Sequence, residues 1–247
     1  MSKSKVKFRT RVKLYLQNII GFDNFLFYFS RITLKWLHRN KIEADFMHFL
    51  SIIPTDNLIL DIGANMGIMT VSLAKKAANG QVYSFEPIPE NVKALKRLTK
   101  HYKLSNVTVF DCALGNEPGE LKMVVPIINS DKIMGLSHVV DENNPHDGEF
   151  FTVPVKRLDD IPELKKAKAI GAIKIDVENF EYEVLTGAKE LLLKHKPLIL
   201  CEIWDNEKRE ATLNFLKNEI GYSIKIYDGE KLVPLTGQNE LNYFMIS

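Results

Sequence analysis

Cysteine is scarce in this chain, with two among 247 residues, Cys112 and Cys201. That count excludes a disulfide-stapled scaffold. Both thiols fall near the ends of expected core strands and read as small buried hydrophobes of a protein kept in a reducing compartment. Long apolar runs are lacking too. The N-terminal run from Ile19 to Phe29 is broken by Asp23 and Asn24, has no small-residue cleavage site after it, and is too short to cross a bilayer. Neither a secretory leader nor a spanning helix is expected. Acids are almost missing from residues 1–42, where Asp23 stands against Lys3, Lys5, Lys7, Arg9, Arg11, Lys13, Arg31, Lys35, Arg39 and Lys41. Ten bases and one acid give this arm +9, so a net charge of +2 for the whole chain leaves −7 elsewhere.

What is present fits one α/β domain of ordinary size with an extension. The apolar and charged fractions, 45% and 26%, are those of a soluble globular protein. A basic arm on an acidic body suits an anionic partner such as a membrane surface, nucleic acid or an acidic glycan. Phe25, Phe29, Ile32 and Trp36 recur at helical spacing, and this face is expected to pack on the main domain. The alternatives are an interfacial segment or a cover over the active site. Lys5 to Leu16 alternates basic and apolar residues, which fits a strand or an arm as well as a helix. A second helical stripe, Ile42, Phe46, Phe49 and Ile53, stops at Pro54.

From there strands and helices alternate as in a parallel sheet. Strands are expected at Leu58 to Ile62, Gln81 to Glu86, Val107 to Asp111, Ala172 to Asp176 and Pro197 to Ile203. Helices are expected from about Met66 to Ala77, Glu90 to Tyr102, Phe180 to His195 and Glu207 to Glu219. Glu120 to Val125 and Phe151 to Val155 look like further strands, separated by a long polar loop, Asn129 to Glu149, of the kind that is functional or mobile. The end reads as Tyr222 to Tyr227, an Asp228-Gly229 turn, Lys231 to Val233, and Asn242 to Ile246. There is no internal repeat and no low-complexity linker.

The residues from Leu58 to Gly67 read as a short buried strand, a glycine turn and a helix start. Gly63 and Gly67 let the backbone approach a ligand, and Asp61 lies at the carboxyl end of the strand, where open parallel sheets bind ligands. The pattern D-x-G-x-N-x-G, made by Asp61, Gly63, Asn65 and Gly67, lacks the first glycine of the dinucleotide fingerprint. Its carboxylate repels a diphosphate and suits a cationic ligand such as an ammonium or a sulfonium. A tight turn with no ligand is the plain alternative. Glu86, nineteen residues after Gly67, closes the second strand where an acid can accept both ribose hydroxyls. Asp111, before Cys112-Ala113-Leu114-Gly115, is placed to accept from an adenine amino group, with Ala113 on the same cofactor side.

The first of these segments resembles motif I of the class I S-adenosylmethionine-dependent methyltransferases. Together, Asp-Ile-Gly-Ala-Asn-Met-Gly, Phe-Glu-Pro, Ala-Leu-Gly and Ile-Lys-Ile-Asp-Val-Glu-Asn-Phe-Glu are similar in kind and order to the FkbM family, over about Glu43 to Ser247. The resemblance implies S-adenosyl-L-methionine as cofactor. It also implies a Rossmann-like class I methyltransferase fold: α/β, with a seven-stranded, mostly parallel sheet and an antiparallel terminal strand. Residues 1–54 would then be a basic, aromatic-rich helical extension and 55–247 the methyltransferase domain. Family members are O-methyltransferases of secondary-metabolite or sugar hydroxyls, often encoded in polysaccharide or antibiotic gene clusters. The family usually has glycine where Asn179 stands, and asparagine tolerates the left-handed backbone such a turn needs.

The implied reaction is in-line attack of a substrate oxygen on the sulfonium methyl, so the protein must align the hydroxyl and help remove its proton. Asp176 and Glu178 follow the fourth strand and Glu202 ends the fifth. These three carboxylates could raise one another's pKa to make a base, hold sugar hydroxyls or bind a divalent cation, though no metal site is assigned. Glu178 could instead cap the next helix. Asp176 is the expected catalytic or orienting acid, and His138, in the polar loop, is a second candidate base. The acceptor is read as a small molecule or glycan. Residues 1–42 offer peripheral membrane contact, at the inner face for a protein of the cytoplasm. A nucleic-acid or protein methyltransferase and a non-enzymatic membrane-associated scaffold are the competing readings. Base flipping needs a cationic groove, and the main domain is net acidic.

Overall fold

A computed structural model describes residues 15–37, 43–128, 131–140, 147–237 and 240–247. Most of the alternating Lys5 to Leu16 segment, Ile42 of the second stripe, and Asn143 to His146 of the polar loop lie outside the described residues.

Eight strands form the main sheet: β1 (Leu58–Ile62), β2 (Gln81–Phe85), β3 (Val107–Phe110), β9 (Ile170–Ile175), β10 (Leu198–Glu202), β11 (Ser223–Tyr227), β12 (Leu232–Pro234) and β13 (Asn242–Ile246). Their order is β12-β11-β13-β10-β9-β1-β2-β3. Strands β10, β9, β1, β2 and β3 run parallel, and β13 is antiparallel between β10 and β11. All eight fall on expected segments, although the expected sheet has seven strands. The short β12 adds an eighth at the edge, because the Asp228-Gly229 turn folds it back on β11. Strand β1 is covered on both faces, as a strand apolar at every position but Asp61 requires.

The helices are α1 (Phe22–Leu37), α2 (Ala44–Ile52), α3 (Ile68–Lys76), α4 (Pro89–His101), α5 (Pro162–Lys165), α6 (Glu181–Thr186), α7 (Lys189–His195) and α8 (Arg209–Asn214). The last continues into a π turn, Phe215–Ile220. The single helix expected from Phe180 to His195 is broken at Gly187. A Cβ there would lie 2.0 Å from the Gly115 carbonyl, so the chain bends where two backbones touch.

A smaller sheet is built from β4 (Ala113–Leu114), β5 (Gly119–Ile128), β6 (Asp131–Lys132), β7 (His138–Val139) and β8 (Gly148–Lys156), with β5 and β8 antiparallel over most of their length. Part of the expected polar loop is therefore strand. Apolar residues fill both sides of the main sheet, and a third cluster joins α1 and α4 to the smaller sheet.

Helix α1 corrects the expected packing. It buries Leu26, Phe27, Ser30, Leu34 and Leu37, while Phe29, Ile32 and Trp36 of the predicted stripe face outward and only Phe25 is covered. The helix has two apolar faces. The face that wins packs Phe27, Leu34 and Leu37 beside Phe46, Phe49 and Val71. Ser30 is tolerated there because its hydroxyl donates to the Leu26 carbonyl (2.8 Å).

Candidate active site

The turn after β1 is defined by contacts too close for side chains. Gly63 has φ +74°, and a Cβ on it would stand 1.7 Å from the Asp176 carbonyl oxygen. Its N–H and that of Ala64 both donate to the Phe85 carbonyl (3.1 and 3.0 Å), while the Asp176 N–H donates to Ile62 (3.1 Å). The turns that follow β1, β2 and β9 are thus stitched into one unit. Asn65 and Gly67 also have positive φ, and a Cβ on Gly67 would meet Leu95 Cδ1 at 2.4 Å.

Two carboxylates are buried against this unit. Glu86 accepts from the Asn65 N–H (2.8 Å), the Ile88 N–H (3.0 Å) and the Asn91 side-chain amide (3.1 Å). Burial still pushes its pKa up to about 6. Asp61 is fully buried and takes the Thr70 hydroxyl on Oδ2 (2.5 Å), and its Oδ1 has no hydrogen-bond partner among the described residues. Burial raises its pKa, while the Lys174 ammonium and Thr70 oppose the rise.

Lys174 lies directly across the sheet from Asp61, in register between β1 and β9. Its ammonium donates to the Asp176 carboxylate (3.1 Å) and the Gly63 carbonyl (3.3 Å). Burial pulls its pKa down, but Asp176, Asp61 and Glu202 outweigh that and leave it raised. Around this cation stand more carboxylates than it can neutralise. Burial, then Asp176 and Glu202, push Glu178 up to about 8. Burial and Asp176 push Glu202 up to about 7, and burial takes Glu181 to about 7. Glu43, before α2, is raised by burial and by Asp176. Glu178 (φ +52°) and Asn179 (φ +73°) are consecutive left-handed residues, so the asparagine does adopt the backbone expected of a glycine.

Two clefts meet at Gly63, Asn65 and Asp176. The first, about 630 Å³, continues along Glu86, Pro87 and Cys112 to Leu114, and is closed by Met123, Ser137 and Val139 of the smaller sheet and by Glu178. The second, about 810 Å³, runs between Lys174, Glu43 and Met66 on one side and Thr33 and Trp36 of α1 on the other.

Of the expected site residues, Gly63, Asn65, Glu86, Ala113, Asp176 and Glu178 line the first cleft. Asp61 and Gly67 lie behind it as supports, and Glu202 belongs to the charge cluster. Two residues are not brought in. Asp111 is half-exposed and pairs with Lys96 (2.7 Å), since β3 ends at Phe110 and the next residue turns outward. His138 is on β7, where strand alternation sends its neighbours Ser137 and Val139 into the cleft and His138 the other way. Its Nδ1 meets the Leu136 carbonyl at 2.8 Å. The sequence reading missed Lys174, Glu181 and Glu43. Lys174 carried a signal, as a lone cation in the apolar run of a central parallel strand, which must find buried anions. Among the described residues, no group of three or more His, Cys, Asp or Glu side chains could hold a metal ion.

A family model described as Methyltransferase FkbM domain matches residues 61–224. Methyltransferase 1 of Beauveria bassiana (strain ARSEF 2860) is 26% identical over 214 residues, covering 80% of this chain and 84% of that protein. The 31-O-demethyl-FK506 methyltransferase FkbM of Streptomyces tacrolimicus is 25% identical over 203 residues, 68% of this chain and 77% of its own. The solved structure of methyltransferase FkbM from Methylobacillus flagellatus KT has a TM-score of 0.53 and 18% identity, over 77% of this chain and 44% of that longer one. That likeness is one of fold.

Proposed function

The chain belongs to the FkbM family of S-adenosylmethionine-dependent methyltransferases, and from that premise we propose that it methylates a hydroxyl oxygen of a small molecule or glycan. The observation that carries this reading is the meeting of two clefts at Asp176, beside carboxylates whose pKa values stand near neutrality. The residues fit the cofactor. Gly63 and Asn65 line the first cleft beside the buried Glu86, and Asp61 keeps one buried carboxylate oxygen without a partner among the described residues.

When bound, S-adenosylmethionine supplies an electrophilic methyl on a sulfonium. Gly63, Asn65, Glu86 and Ala113 would hold it, with Asp61 behind them. Lys174 fixes the direction of the Asp176 carboxylate, which orients the acceptor hydroxyl by accepting its hydrogen bond. Glu178, on the wall of the same cleft, takes up the proton, because a pKa of about 8 makes its ionised form, which gains population as pH rises through 8, a stronger base than an ordinary carboxylate. Glu202 stands next to it as a second acceptor. Met123 and Val139 exclude water from the closed side of the first cleft.

The reading is tested by calorimetry with S-adenosylmethionine and by transfer of labelled methyl to a panel of hydroxylated acceptors, with mass spectrometry of the product. Binding with label on oxygen supports it. Absence of binding, or label on nitrogen or carbon, removes it.

A further inference from the structure

The outward face of α1 is apolar and, among the described residues, exposed. Ile32, Trp36, Tyr28 and Phe29 are 57%, 54%, 48% and 42% exposed, and they fall within one arc of the helix because they recur at three- and four-residue spacings. Ile19 (60%), with Tyr15 and Leu16, extends the exposed apolar surface onto the short helical stretch 15–20 that precedes Gly21. A folded chain rarely leaves aliphatic and aromatic side chains together in water without a use for them.

The charges beside this face have one sign. Arg31 and Lys35 border it on the helix, and the single acid of residues 15–37, Asp23, is paired with Lys93. Residues 1–14 add Lys3, Lys5, Lys7, Arg9, Arg11 and Lys13 and no acid. We propose that the outward face of α1 docks this protein on an anionic lipid surface, with Ile32, Phe29 and Trp36 entering the headgroup region and Arg31 and Lys35 meeting lipid phosphates. Apolar burial and charge attraction act together at such an interface.

The alternatives fit less well. A second copy on this face would bring two +9 arms together. A nucleic acid would match the charge and has rings to stack on in Tyr28, Phe29 and Trp36, but it gains nothing from Leu16, Ile19 and Ile32, which a lipid interface buries together with those rings. No described helix is long and apolar enough to cross a membrane, so α1 lies on the surface. Trp36 also walls the second cleft, and docking sets that cleft against the headgroups. The docking surface does not depend on the reaction proposed above, and its test is separable.

The test is cosedimentation of the full chain with vesicles of phosphatidylcholine and phosphatidylglycerol in equal parts, against phosphatidylcholine alone. The expected result is binding to the anionic vesicles that weakens at high salt and falls about tenfold or more in Phe29→Glu/Ile32→Glu. Lys35→Glu gives a smaller loss. Thermal melting and S-adenosylhomocysteine binding of these variants should match the parent, showing that the fold is intact. No binding to anionic vesicles overturns the proposal. So does equal binding to neutral ones, an undiminished double variant, or a dimer in sedimentation velocity that Ile32→Glu dissociates.

Discussion

The ammonium of Lys174 lies 3.1 Å from the Asp176 carboxylate and bonds the Gly63 carbonyl at 3.3 Å, so one buried cation ties the turn after β9 to the turn after β1. Its value is mostly negative. With the cation gone, fully buried Asp61 would lose the positive charge that offsets its burial and would face Asp176 directly, and losing one partner of a buried charge pair is far costlier than never having had the pair.

Lys174→Met should therefore destabilise the protein by about 3 kcal/mol in urea unfolding. Adding Asp61→Asn should recover part of the loss, because it removes one of the stranded charges. A single variant as stable as the parent would show that the ammonium is dispensable.

Asp61→Ala and Glu86→Ala should each weaken S-adenosylhomocysteine binding about tenfold or more by calorimetry, the scale of one lost charge-assisted contact or its support. Parent-like affinity in both would remove them from the cofactor site.

The carboxylates set the pH dependence of stability. Glu86, Glu202, Glu181 and Glu178 rise from an ordinary 4.5 to about 6, 7, 7 and 8. The native state then holds more protons than the unfolded chain between those limits, so their stabilisation is complete below about pH 4.5 and is lost as pH rises through 6 to 8. The urea midpoint should fall from pH 5.5 to pH 8, and Glu178→Gln should flatten the upper part of that slope. A midpoint that climbs with pH would contradict the burial of these groups.

Glu178→Gln should also lower kcat by about a hundredfold with little change in cofactor affinity, as expected for loss of a general base. The parent rate should rise with pH through about 8, and the variant should lose that limb. An unchanged pH–rate profile would move the proton to another acceptor.

Backbone geometry gives three further variants. Gly63→Ala should cost at least about 2 kcal/mol, because it combines positive φ with a Cβ inside the Asp176 carbonyl. Asn179→Gly should stay within about 1 kcal/mol of the parent, exchanging an easier left-handed backbone for the lost Asn206 hydrogen bond (2.8 Å). Asn179→Val should cost about 1–2 kcal/mol. Thermal and urea unfolding of the three variants would order them.

The parallel sheet was legible because each of its strands is a short, mostly apolar or β-branched segment, and β1 is followed by two glycines that contact leaves no room to replace. Asp176 and Glu178 could be found for the same reason, as acids at a strand end. Asp111 and His138 looked equivalent in sequence, but one residue of register decides which way a side chain points, and composition does not encode register. The stripe on α1 failed differently. Both of its faces are apolar, so spacing named an apolar face without telling which one meets the core. Lys174 was overlooked because the buried charge it faces, Asp61, is 113 positions away and comes opposite it only through the β1–β9 pairing, while its ion-pair partner Asp176 read as an acid free for substrate.

Met123, Ser137 and Val139 reach the first cleft from the smaller sheet, whose strands pair only with one another among the described residues. Asp61, Glu86 and Lys174 belong to the frame of the larger one. The cleft is therefore a joint between two pieces of backbone that can be altered separately. Lengthening or rewriting the segment between β5 and β8 changes what the cleft admits and leaves the carboxylate frame uncut. In the proposed enzyme, that is a route by which one ancestral donor site could serve many acceptors.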